Sequence, residues 1–163
     1  MAVKSDIRQP APEAQLRSFI DRLDPKNQKL FRSVRAALRK RFPTANELAY
    51  DYSSFVVIGY SPNENGIDSV VSIAGRDDGV QLYFNKGPQL PDPKKLLLGS
   101  AKMTRFVRVE TAKQLAHPDV EAFIAAAVGL SSVPLPSKGV GSLIIKTNKV
   151  LAPKKKKRPK AKK

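Results

Sequence analysis

The hydrophobic period of this chain changes once, at Pro43, and that change limits the fold more than any other feature. Before it, apolar residues recur at helical spacing: Leu16, Phe19, Ile20 and Leu23 follow at i, i+3, i+4, i+7, and Leu30, Phe31, Val34 and Leu38 share a second face. One-sided stripes of this kind belong to helices laid against a core. Pro12 with Glu13 suits the first turn of one helix, and Asp24-Pro25 supplies an N-cap and first position for the next. Proline disfavours helix at the residue before it, so the second helix ends at Pro43.

After Pro43 the period is two. Glu47 to Tyr52 and Ser54 to Tyr60 are rich in aromatic and β-branched residues, and Pro62 to Gly66 reads as a hairpin connection. Ile67 to Ala74 is the expected return strand, with Asp77-Asp78-Gly79 as the next turn. Val80, Leu82 and Phe84 then alternate with Gln81, Tyr83 and Asn85, and Thr104 to Val109 is the last expected strand. Thr111 and Gln114 have capping-box spacing. Pro118-Asp119 opens a final helix with Val120, Phe123, Ile124, Ala127 and Val128 on one face, ending at Gly129.

Strands joined by short turns pair antiparallel. The expectation is an α+β fold of two layers, an antiparallel sheet of about five strands backed by helices. Residues 12–130 are expected to form one core that buries Phe19, Phe31, Val34, Ile73, Leu82, Phe106, Phe123 and Ile124. Residues 1–11 read as a flexible arm and residues 131–153 as a Pro/Gly/Ser linker. Within that linker Leu143-Ile144-Ile145 either pairs with a sheet edge or stays loose. Residues 154–163, KKKKRPKAKK, cannot bury a core and read as a disordered tail.

Charge divides along the same boundary. The chain carries +16, and residues 131–163 hold eleven Lys or Arg and no acid, which leaves +5 for the rest. The tail cations, Lys154, Lys155, Lys156, Lys157, Arg158, Lys160, Lys162 and Lys163, suit sequence-indifferent contact with the phosphates of DNA or RNA, where lysines act as point charges that release counterions. In a eukaryote the same run would serve as a nuclear import signal. No apolar run approaches a membrane span, and the N-terminus has no apolar segment of a secretory signal. A soluble cytoplasmic protein is expected, nucleoid-associated if the tail holds DNA, and nuclear in a eukaryote.

The absence of cysteine removes disulfides, thiolate metal sites and cysteine nucleophiles. Glu64, Asp68, Asp77 and Asp78 lie in or beside turns, where Asp and Asn serve turn chemistry. His117, the lone histidine, belongs to a helix entry. Gly99 to Thr104 lacks the first glycine of a phosphate-binding loop, since Lys94 stands there. No catalytic constellation, metal site or cofactor is expected. The long loop after Gly87 is the best candidate for function in the folded part, because loops of this length inside a domain are more often functional than idle. Asp92, Lys86, Lys102, Arg105 and Arg108, walled by Tyr52 and Tyr83, make a candidate pocket for a carboxylate, phosphate or acidic peptide. The simpler reading is that Asp92 caps a turn while the bases are solvated, as are Arg32, Arg35 and Arg39 on the second helix.

Several stretches together resemble the domain of unknown function 1801, the YdhG-like family. They are PEAQLRSFIDRLDP, FPTANELAYDYSSF with Glu47 where that family has a glutamate, LYFNKGPQLPDPKKLLLGSAKMTRFVRV with Leu90-Pro91-Asp92-Pro93, Leu97, Gly99, Lys102 and Arg105 in place, and DVEAFIAAAV. The resemblance covers about residues 12–130. It implies a frataxin-like sheet backed by helices, and some relatives are regarded as iron chaperones in iron–sulfur assembly. In frataxins that role goes with an acidic first helix, whereas here Arg17 and Arg22 interleave with Glu13, Asp21 and Asp24. The functional expectation is therefore a non-enzymatic binding or accessory domain with a polyanion-binding tail, with an unknown protein partner. A frataxin-like iron chaperone is the alternative.

Overall fold

The structure, a computed structural model, describes residues 10–146. The expectations for the basic tail and for residues 1–9 of the arm lie outside the described residues. The fold is α+β: three helices and one mixed sheet of six strands. In chain order these are α1 (Pro12–Ile20), α2 (Pro25–Arg41), β1 (Asn46–Asp51), β2 (Val56–Ser61), β3 (Val71–Arg76), β4 (Gly79–Phe84), β5 (Arg105–Val109), α3 (Pro118–Leu130) and β6 (Leu143–Lys146).

The helix boundaries follow local chemistry. The Asp24 carboxylate accepts the Asn27 N–H at 3.1 Å, which caps α2, with Pro25 at its first position. Buried Asn27 in turn donates to the carbonyls of Arg76 and Asp77, fixing the start of α2 on the β3–β4 turn. Arg39, Lys40 and Arg41 crowd the negative end of the helix dipole. The expected capping box at Thr111 does not form: Gln114 accepts from the Glu110 N–H at 2.7 Å, one residue short of Thr111, whose side chain caps nothing, and a 3-10 turn follows. Helix α3 passes through Gly129 and ends at Leu130.

The sheet order is β5-β4-β3-β2-β1-β6. The first five strands are antiparallel, as expected, and β6 runs parallel to β1. The five-stranded, all-antiparallel expectation is thus corrected by one strand, drawn from the stretch read as linker. Four residues are too few to carry a period, so tertiary contacts decide. After β5 the chain crosses the helix layer as α3 and arrives at the opposite edge of the sheet. There the Gly141 N–H donates to the Pro43 carbonyl at 2.9 Å and the Ser142 N–H to Asn46 Oδ1 at 3.0 Å. A Cβ at Gly141 would lie 1.7 Å from the Ala45 carbonyl oxygen, so only glycine permits this approach.

The return strand also starts later than its apolar run suggests. A 3-10 turn at Gly66–Asp68, held by Asn65 and Asn63, takes up the residues before Val71. Across the sheet, Ala49, Ile58, Ile73, Leu82 and Val107 stand in one register row, with Ile145 opposite Ala49. This row faces the helices, where Phe31, Val34, Leu38, Leu16 and Ile124 close the core. Of the eight residues expected to be buried, Phe19 and Phe106 are only half-buried. Phe106 is paired with Tyr83, one position out of the core row, so it lies on the opposite face. Its size suggested the core, but a strand allots faces by parity.

Candidate functional site

The long loop is built as a closed structure. Asp92 accepts the Leu96 N–H at 2.8 Å on one oxygen and the Leu97 N–H at 2.9 Å on the other. Leu97 packs on the core, and Leu98 makes an antiparallel bridge to Phe106 that covers the β5 edge. Lys86 reaches the other way, to the Leu130 carbonyl and Ser132 at the end of α3. Arg105 donates to the Ala101 and Thr104 carbonyls of its own loop. Lys102 is exposed. Tyr52, just past the end of β1, and Tyr83 of β4 lie on the helix-free face, three strand spacings or roughly 14 Å apart across the sheet and four residues apart along it. The structure thus brings together neither the two tyrosines nor the polar groups of the proposed pocket. Asp92 and Arg105 are turn and loop fasteners, and Lys86 fastens the end of α3. His117 likewise caps α3, with Nδ1 accepting the Asp119 N–H at 3.1 Å.

A stronger polar assembly lies under the helices. Glu47 projects from β1 into the core layer, and Arg35 from α2 meets it through two hydrogen bonds of 2.9 and 2.7 Å. Arg35 also grips Glu13 of α1 at 3.0 and 2.8 Å, and the Tyr60 hydroxyl donates to Glu47 at 2.8 Å. Arg39 completes the group, 3.5 Å from Glu47. The hydrogen bond from Arg35 holds the Glu13 carboxyl below its usual range. Burial alone would weaken the Arg35 charge, but hydrogen bonds to Glu47 and Glu13 outweigh it and raise its pKa. Burial, then the adjacent Glu47 charge, pushes the Tyr60 hydroxyl well above its normal value. Tyr60 is therefore a fixed donor, and the assembly is a clasp between α1, α2 and the sheet. Beside it, between α1 and α2, runs an open groove of about 350 Å³. The clasp departs from the expectation of a solvated face for Arg32, Arg35 and Arg39: Arg35 and Arg39 meet Glu47, and Arg32 meets Asp21. The available signals were a glutamate in an apolar strand and the position of Arg35 four residues after core Phe31, on the flank of the buried face.

Among the described residues the other face of the sheet carries no helix. Tyr50, Tyr52 and Phe55 form one aromatic run at the β1–β2 end, with ring centroids 6.1 and 4.7 Å apart. The Arg76 guanidinium lies over the Phe55 ring, 4.0 Å from its centroid. Tyr83 and Phe106 form a second pair at 4.9 Å. Between the two groups the floor is small: Val57, Gly59, Ser72 and Ala74. Among the described residues no three His, Asp or Glu side chains converge as a metal cage needs, and no helix is long and apolar enough to cross a membrane. Comparison with protein-family models, with curated proteins and with solved structures finds no match to the chain.

Proposed function

We propose that this protein is a non-enzymatic binding module of the YdhG-like, frataxin-like class, held to nucleic acid or another polyanion by its lysine-rich C-terminal residues. One observation carries this reading, the division of charge. Residues 10–146 account for +6 of the +16, while Lys154 to Lys163 bring eight cations without an acid. In the described part several of the best-placed charges are already spent on ion pairs, as at Arg35, Arg22–Asp51, Arg41–Glu121 and Lys94–Asp119. The shifted titrating groups there fasten helices to the sheet or lie among stacked rings, which supports binding over catalysis. An iron-chaperone role draws less support, since Glu13, Asp21, Asp51 and Asp119 each sit within 3.8 Å of a cation and would have to leave it to ligate metal. A cytoplasmic or nucleoid-associated location goes with this reading.

A salt titration of the full chain and of a chain ending at Pro153, on two unrelated duplexes, tests it. Each phosphate neutralised adds about 0.9 to the slope of log affinity against log salt. With about five to eight contacts the slope is expected between about −4 and −7, equal on both duplexes, and truncation removes most of the binding. Equal slopes for full and truncated chains would move the site to the folded part.

A further inference from the structure

The helix-free face of the sheet has a composition that sheet stability does not require. Along one register row stand Lys146, Tyr50, Val57, Ala74, Gln81 and Arg108, so a cation stands at each end, the Lys146 ammonium donating to the Glu64 carbonyl at 2.8 Å. The Tyr83 hydroxyl bonds to Gln81 at 3.0 Å, two residues back on the same face, which lays its ring along the strand. The Tyr50 hydroxyl sits where a Cβ on Gly66 would be, which lays that ring along its strand in the opposite direction. Five aromatic side chains on this face are half-buried or, for Tyr52, 38% exposed. No carboxylate stands in the row. Asp78, at its rim, is 3.8 Å from Arg108.

Flat rings on a sheet face without a helix, bounded by guanidinium and ammonium groups, suit a ligand that alternates planar unsaturated groups with negative charges. We propose that this face is a stacking platform for single-stranded nucleic acid, with bases at Tyr52 and Tyr83 and phosphates at Arg76, Arg108 and Lys146. Bases of any identity present a π-face, and splayed strands expose them where a duplex does not. The two aromatic groups are offset by roughly 14 Å across the strands and roughly 13 Å along them, over small side chains, which gives room for successive nucleotides. Charge complementarity favours this occupant over two others. A second copy would bring its own Arg76 and Arg108 against these, and the chain's own lysine-rich segment would meet like charge. The proposal rests on the polyanion reading and adds the bases to it: β6 ends at Lys146, in register with Tyr50 and eight positions before Lys154 in the sequence.

The test compares an oligothymidylate with an abasic oligodeoxyribophosphate of equal length, both titrated against the full chain. The two probes carry the same phosphate charge and differ only in bases. The proposal expects tighter binding of the oligothymidylate, by roughly 5- to 100-fold for each stacked base, persisting as salt is raised. Tyr52→Ala, at an exposed ring, and Tyr83→Leu, which keeps an apolar body against Phe106, should each reduce the difference and leave abasic binding unchanged. Equal affinity for both probes overturns the platform and leaves the lysine-rich residues as the polyanion site. Binding of the oligothymidylate without the abasic probe keeps the platform and overturns the assignment to those residues. Binding of neither overturns both. A base-dependent difference that survives both substitutions also overturns the platform, since the bases are then read elsewhere.

Discussion

The two faces of the sheet use polar and aromatic groups in opposite ways. Under the helices, Arg35, Glu47, Glu13 and Tyr60 form a closed set in which each charge is met by another, and Glu47 keeps only 3% of its exposure. On the bare face, Tyr52 is stacked yet exposed, Arg76 spends its charge on the face of the Phe55 ring, and Arg108 has only rim Asp78 at 3.8 Å. The first arrangement has little to offer a ligand and much to lose when broken. The second costs little to disturb and presents groups that recognise planar, negatively charged molecules. Stability and binding are thus assigned to different sides of the same six strands.

The largest expected effect breaks the covered side. Arg35→Ala leaves Glu47 in the core layer with Tyr60 and the more distant Arg39, and stripping one partner from a buried pair costs about 3–5 kcal/mol. Urea unfolding of the folded part should register this as a fall in midpoint. Tyr60→Phe removes one hydrogen bond to a charged acceptor and should cost about 1.5–3 kcal/mol by the same measurement. In the long loop, Asp92→Ala frees two backbone N–H groups, a loss of cap type worth about 1 kcal/mol, with faster hydrogen exchange at Leu96 and Leu97. The smallest effect is the pH dependence. Glu13 is lowered by its hydrogen bond with Arg35, and Asp51 is lowered because Arg22 and the Ser53 N–H outweigh its burial. Their contribution is complete above the ordinary carboxylate range, near pH ~4, and is lost as pH falls through the lowered folded values. Denaturation curves at neutral and acid pH should show this limb, and Arg35→Ala should flatten the part that belongs to Glu13.

Much of the covered side could be read from residue order. The helix stripes, the Asp24 cap and the stop at Pro43 are local signals, and they place α1, α2 and the core row correctly. What could not be read depends on parity and on distant approach. Phe106 went to the bare face because Val107 and Val109, not the larger ring, hold the inward positions. Strand β6 formed because Gly141 lets residues far along the chain meet Ala45 and Asn46. The candidate pocket failed to assemble for a related reason. Asp92, Lys86 and Arg105 each found a backbone partner closer than one another, and Tyr52 and Tyr83 were parted by two strands. Yet both tyrosines belong to the bare face, so the residue types pointed to a binding surface while the expected geometry was wrong.

The separation of the two faces is tested most directly by measuring unfolding free energy and oligothymidylate affinity together for Arg35→Ala and Tyr52→Ala. Arg35→Ala should lose stability and, under conditions where it is fully folded, bind as the unaltered chain does. Tyr52→Ala should unfold within about 0.5 kcal/mol of the unaltered chain, the usual range for a surface change, and bind more weakly. Parallel losses of stability and affinity in both variants would contradict the account, because the two sides would then be one cooperative site.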